Sequence, residues 1–191
     1  YWIGTTDPLT AVKLRINGTG LKSGQHIRHL TAEVGGGIGY AGPHFVHTFD
    51  LLLPPEKYFA EHPEYYALID GKRTAKHLYS QPCLSNPDVL RIMIEGIRSW
   101  LRDNPEARLV SVSQNDSFVI GSYCTCPACR AVNEEEGAPS GSLIRFVNAV
   151  AEALEPEFPE VTFDTLAYQY STQPPKLTHP RHNVAIRMCT G

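Results

Sequence analysis

The chain has 191 residues, 42% hydrophobic and 19% charged, with a formal net charge of −3 at pH 7. That composition can build a packed core, which excludes disorder, and the interspersed charges provide neither the basic stripe of a nucleic-acid binder nor an acidic tail. The apolar runs are short and broken by charges, which argues against a membrane span.

Residues 9–16 read as a short helix ended by Asn17-Gly18, and residues 35–42 as a mobile glycine-rich loop. That loop lacks the strand before and helix after it that a dinucleotide fingerprint needs. Residues 45–49 are expected to form a strand, residues 54–61 a brief helix opened by Pro54-Pro55-Glu56, and residues 65–69 a strand ended by Asp70-Gly71. The strongest element is a helix over 87–102. Asn86 is its cap, Pro87 sits in its first turn, and Val89, Leu90, Met93, Ile97, Trp100 and Leu101 form its apolar face.

Residues 109–112 read as a buried strand. Leu143, Phe146, Val147, Val150, Ala151 and Leu154 then recur at helical spacing, with Ser140 or Ser142 as cap and Pro156 as stop. Residues 161–168 and 183–188 are the last two strands. Glu134-Glu135-Glu136 reads as a solvated helix end. Strands alternating with helices predict parallel βα units, hence an α/β fold with residues 1–191 in one domain. A (β/α) TIM-type barrel is favoured over a doubly wound sheet, because the informative polar residues come just after strands. Such a barrel usually needs about 250 residues. The chain opens on Tyr1 with no signal peptide in view, so it is expected to be a processed product or a piece of a larger, multidomain protein with the barrel incomplete.

The strand ending in Ser111-Val112-Ser113 runs straight into Gln114-Asn115-Asp116. A carboxylate and an amide at a strand's carboxyl end suit contact with sugar hydroxyls or amides, and glycoside cleavage needs carboxyl groups at the anomeric carbon and the leaving oxygen. Asp116 is the catalytic candidate and Asn115 a substrate-binding one; the other reading is that Asn-Asp caps a turn. His44 and His47, three apart on a strand, would face opposite sides, which leaves His47 as the pocket candidate and Asp50 as a weaker one. Tyr65 or Tyr66, and Tyr168 or Tyr170, could stack on a sugar ring, or be buried with a satisfied hydroxyl.

Cys124-Thr125-Cys126-Pro127-Ala128-Cys129 places three sulfurs within six residues. Cys124, Cys126 and Cys129 could ligate a structural zinc with Cys83, Cys189 or a histidine as fourth ligand, or form a local disulfide or thiol loop.

His47-Thr48-Phe49, His62-Pro63-Glu64-Tyr65-Tyr66-Ala67-Leu68, Gly71-Lys72-Arg73, Cys83-Leu84-Ser85-Asn86-Pro87, Gln114-Asn115-Asp116, the cysteine cluster, Asn148-Ala149-Val150-Ala151 and Leu166-Ala167-Tyr168 follow one another in an order that resembles a known family. It is a bacterial domain family of β/α-barrel glycosidases, of unknown function in many members, that includes glycoside hydrolase family 163. The likeness spans residues 14–189. It implies an endo-β-N-acetylglucosaminidase acting on complex N-glycans, outside the cytoplasm (secreted, periplasmic or at the cell surface), with no cofactor required for catalysis. It also implies a retaining, substrate-assisted mechanism in which the sugar's own acetamide attacks the anomeric carbon. Asp116 is then the carboxylate that polarises the acetamide, and a glutamate, not mapped onto this chain, is the general acid. A glycosidase of other specificity, α-glucuronidase-like, and a glycan-binding barrel without activity are the alternatives.

Overall fold

The computed structural model describes residues 39–189. The helix expected at 9–16 and the start of the glycine-rich stretch lie outside the described residues. In chain order the elements are strand β1 (Tyr40–Ala41), short helices α1 (Phe49–Leu52) and α2 (Pro55–Tyr58), a hairpin of β2 (Leu68–Ile69) and β3 (Lys72–Arg73), and helix α3 (Pro87–Asp103). Strand β4 (Leu109–Ser111), helices α4 (Pro127–Glu136) and α5 (Ser140–Leu154), and strands β5 (Thr162–Ala167) and β6 (Val184–Met188) follow.

Local chemistry fixes the two long helices. The Asn86 side chain accepts hydrogen bonds from the amides of Asp88 and Val89, and Pro87 occupies the first turn, where its missing N–H costs nothing. Val89, Met93, Ile97 and Leu101 then recur every four residues and are buried together. In α5 the buried stripe is Leu143, Phe146, Val147, Val150, Ala151 and Leu154.

Strands β1, β4, β5 and β6 form one sheet in that order, every neighbouring pair parallel. Helix α3 packs on β1, α5 on β5 and β6, and the two helices on each other, so both cover one face. Val110, Val112 and Phe163 meet them there, each fully buried. This is the α/β architecture expected from the sequence; among the described residues these four strands make an open parallel sheet. Among the described residues no helix is long and apolar enough to cross a membrane.

The opposite face is mixed, with Leu109 and Leu166 beside a polar group. By register it carries Tyr40, Ser111, Asp164 and Arg187. The Tyr40 hydroxyl donates to Asp164 Oδ2 at 2.7 Å, and Arg187 pairs with the same oxygen at 2.7 Å. Burial raises the Asp164 carboxyl above its ordinary value, opposed by the Tyr40 hydrogen bond and the Arg187 charge. The Tyr40 phenol is raised as well, first by burial and then by its bond to Asp164.

Four local expectations are corrected. Residues 45–49 are not a strand. His47 takes a left-handed backbone (φ 54°), and Thr48, fully buried, donates its hydroxyl to Ser111 O at 2.9 Å and accepts from Ser113 N at 3.0 Å. The segment is therefore pinned crosswise to the end of β4, not laddered along it. The end of the glycine-rich stretch is not a mobile loop: Tyr40–Ala41 is strand β1, and Gly42 (φ 90°) lies so close to Trp100 that a Cβ there would fall 2.6 Å from the indole. Of residues 65–69 only Leu68–Ile69 is strand, because Pro63–Tyr65 forms a 3-10 turn. Finally, Glu134-Glu135-Glu136 ends a helix, α4, but Glu136 is fully buried, bound by Arg145, Thr178 and the amide of Leu177.

Candidate active site at the carboxyl ends of the strands

Four parallel strands direct their carboxyl ends to one edge, which is where α/β folds build ligand sites. The chain leaving β4 reaches Asp116, and the residue after β5 is Tyr168. The Tyr168 hydroxyl donates to Asp116 Oδ1 at 2.8 Å, and the Ser117 amide donates to the same oxygen at 2.9 Å. Among the described residues Asp116 Oδ2 has no hydrogen-bond partner, so one carboxylate oxygen is left for a ligand. The bond to Asp116 is the main reason the Tyr168 phenol is raised above its ordinary value, with burial second. Gln169 Nε2 donates to the Tyr168 oxygen at 3.1 Å and also holds the Ser117 carbonyl, which fixes the pair from a third side.

His47 joins them. Its Nδ1 lies 2.8 Å from the Gln114 carbonyl, which can only accept, so Nδ1 carries the proton and a neutral ring offers Nε2 as an acceptor. Its ring centroid is 5.8 Å from that of Tyr168. The structure thus gathers Asp116, His47 and Tyr168 at one edge.

Asn115 turns the other way. It is 6% exposed; its Nδ2 donates to Asp50 Oδ1 at 2.6 Å and Ser80 O at 3.2 Å, and its Oδ1 accepts from Asp50 N at 2.9 Å. Its backbone is held at both ends by one side chain, Gln81, whose Oε1 accepts from Asn115 N at 2.8 Å while Nε2 donates to Asn115 O at 3.0 Å. These bonds make Asn115 a positioning residue for the Asp116 loop. Burial raises the Asp50 carboxyl, against the opposing Asn115 hydrogen bond and nearby His77. Tyr66 is not at this edge: 2% exposed, it packs in the core and donates its hydroxyl to Leu53 O at 3.1 Å.

Sequence reasoning passed over several residues here. Gln81 and Gln114 are almost fully buried, and Gln114 Nε2 donates to Tyr168 O at 2.7 Å and Ser171 Oγ at 2.9 Å, bracing β4 against β5. Exposed Tyr79 and Phe118 meet edge to face 6.1 Å apart, Phe118 lying on the chain just beyond Asp116. The apolar run Phe118-Val119-Ile120, two residues after Asp116, was a usable signal, and the structure exposes it.

Residues 13–190 match the family described as Domain of unknown function (DUF4838). The chain belongs to the DUF4838 family. No curated protein and no solved structure matches it.

A second constellation in this DUF4838 chain is a cluster of cysteines. Cys83, Cys124, Cys126 and Cys129 are all buried, and their sulfurs lie within 4.8 Å of one another. The fourth member is Cys83; Cys189 is exposed and apart. Such a cluster can hold a metal ion. The sulfurs are tightly coupled: hydrogen bonds from the thiols of Cys129 and Cys83, opposed by burial, pull Cys124 well below its ordinary value, and the same contacts push Cys83 and Cys129 up. A groove of about 420 Å³ adjoins the cluster, lined among others by Tyr123, Thr125, Arg130 and Glu134.

Proposed function

We propose that this domain is part of a glycoside hydrolase that cleaves β-N-acetylglucosamine linkages in complex N-glycans, with retention of configuration and with the substrate's acetamide as nucleophile. The observation that carries this reading is the Asp116–Tyr168 pair, a carboxylate and a phenol locked together at the carboxyl ends of adjacent parallel strands with one carboxylate oxygen free. Acetamide participation needs those two groups. A carboxylate accepts the acetamide N–H and so raises the electron density on its oxygen, while a hydroxyl donor orients that oxygen toward the anomeric carbon. Asp116 is assigned the first role and Tyr168 the second, its single hydroxyl proton turning from Asp116 to the acetamide oxygen when substrate binds, with His47 at the same edge and exposed Tyr79 and Phe118 offering apolar faces to neighbouring sugars.

The sheet supports a β/α barrel as the frame. Its strands run in chain order with both long helices on one face, whereas a doubly wound sheet reverses its order and carries helices on both. The likeness to the glycosidases of family 163 points the same way. N-glycoprotein substrates place the working enzyme outside the cytoplasm: secreted, periplasmic or at the cell surface.

The test is Asp116→Asn in the full-length protein, assayed for glycan release from an N-glycoprotein by mass spectrometry. The proposal expects release to fall by about 100-fold or more while the fold is retained, a typical loss for a group that acts on developing charge. Glycan binding with no release by the wild-type protein would favour a binding barrel, and unchanged release by the variant would remove Asp116 from the mechanism.

A further inference from the structure

We propose that Cys83, Cys124, Cys126 and Cys129 bind one zinc ion in a closed tetrahedral site that braces the Asp116 loop. The geometry comes first. Cys83 Sγ lies 3.6 Å from Cys126 Sγ and 3.8 Å from Cys129 Sγ. A tetrahedral ion with metal–sulfur bonds of about 2.3 Å sets its sulfurs about 3.8 Å apart. With all four sulfurs within 4.8 Å of one another, the cysteines stand near the corners an S4 ion needs, although three come from one six-residue segment entering α4 and Cys83 from a segment about forty residues earlier.

The chemistry of the surroundings agrees. Four sulfurs and no oxygen ligand exclude the hard cations and select zinc or iron. Four protein ligands leave no open position, so the ion is structural. On binding, the thiols release their protons to solvent and the complex with zinc carries two negative charges. The structure supplies what offsets them: the Leu68 amide donates to Cys124 Sγ at 3.3 Å, Arg73 Nη1 lies 3.7 Å from the same sulfur, and Cys126 and Cys129 sit at the positive end of α4. Ala67, Leu68 and Ile69 pack around the sulfurs and keep water away.

The position of the cluster gives the ion its consequence. It joins the β2–β3 hairpin, the start of α4 and the segment around Pro82, which itself pairs with Tyr66. Gln81, two residues before Cys83, holds both backbone groups of Asn115. Fixing Cys83 fixes Gln81, and Gln81 fixes the residue next to Asp116. This inference stands without the glycosidase reading, because it concerns how the loop is held and not what it does.

The experiment is metal analysis of the full-length protein purified without added metal or chelator, with Cys124→Ser and Cys189→Ser variants in parallel. The expected result is one zinc per chain in wild type and in Cys189→Ser, and its loss in Cys124→Ser. Should Cys124→Ser fail to fold, replacement of the ion by cobalt in wild type decides: tetrahedral thiolate coordination gives intense visible and sulfur-to-cobalt absorption bands. Metal-free protein with its cysteines as thiols or disulfides would overturn the site, and bound iron in place of zinc would overturn the assignment of the ion. Hydrogen exchange reads the second half of the claim. The Asn115 amide is expected to exchange faster once zinc is stripped, and an unchanged rate would overturn the bracing role.

Discussion

The hydroxyl of Tyr168 donates a 2.8 Å hydrogen bond to Oδ1 of Asp116, joining the end of β5 to the loop that leaves β4. The bond is charge-assisted and lies between the two residues assigned to the substrate acetamide. Tyr168→Phe removes the hydroxyl and keeps the ring. The bond to Asp116 is made before substrate binds, so its loss should lower stability by about 1 kcal/mol, while loss of the donor to the acetamide is expected to lower glycan release roughly 10- to 100-fold. Equal activity of the variant and the wild type would sink the acetamide-orienting role. The same bond raises the Tyr168 phenol, so ultraviolet titration of Asp116→Asn should show one tyrosine ionising at lower pH than in wild type.

On the mixed face of the sheet, Asp164 is 4% exposed and is shared by Tyr40 and Arg187. Asp164→Ala leaves the Arg187 guanidinium facing a phenol with no carboxylate between them. Removing one partner of a buried pair costs about 3–5 kcal/mol, and since Arg187 keeps some contact with solvent the lower end of that range is expected. Denaturant unfolding measures it. A loss below about 0.5 kcal/mol, as for an ordinary surface substitution, would show that the triad does not tie β1, β5 and β6 together.

Asn86 gives a smaller and cleaner test. Its Oδ1 accepts from Asp88 N at 2.9 Å and Val89 N at 3.4 Å, so Asn86→Ala leaves two amides at the start of α3 to water alone. The expected loss is about 1 kcal/mol, and Asn86→Asp, which can accept the same bonds, should recover most of it.

How much of this was legible depended on the range of the interactions. Helices α3 and α5 announce themselves because their buried residues repeat at 3.6-residue spacing, and β4, β5 and β6 because β-branched and aromatic residues cluster in them. Asp116 and Tyr168 could each be read from position after a strand, whereas His47 was picked from a 45–49 strand that does not form. Their convergence could not, since it depends on which strands lie side by side. Helix α4 escaped notice because it buries only Cys129 and Glu136, too narrow a stripe to show as a period. The 45–49 segment looked like a strand because its residues favour one, but Thr48 was drawn across the end of β4 by hydrogen bonds to Ser111 and Ser113. Asn115 and Tyr66 are types that bind sugars when exposed; burial gave them other partners. Asp164 sits in a strand that otherwise reads as apolar, and only the register places Arg187 and Tyr40 beside it.

Glu136 shows the same limit and gives a pH-dependent prediction. In sequence it closes a run of three glutamates, while in the fold it is fully buried and accepts from Arg145 Nε at 2.8 Å and from the amides of Leu177 and Thr178 at 3.0 Å each. Burial alone would raise its carboxyl, but the bonds from Thr178, Leu177 and Arg145 outweigh that and hold it at about 2, against 4.5 as the ordinary value. A carboxylate lowered by folding contributes stability that is fully present above the unfolded value and is lost as the pH falls toward the folded one. Glu136→Gln cannot titrate and leaves Arg145 and the two amides poorly matched, so at neutral pH it should be less stable by about 1–3 kcal/mol. The gap from wild type should then narrow as the pH drops below about 4.5, because the wild-type advantage is the part that protonation removes. Urea unfolding midpoints of both proteins across that range measure it. A gap that stays constant with pH would assign the cost to packing and remove the charge from the explanation.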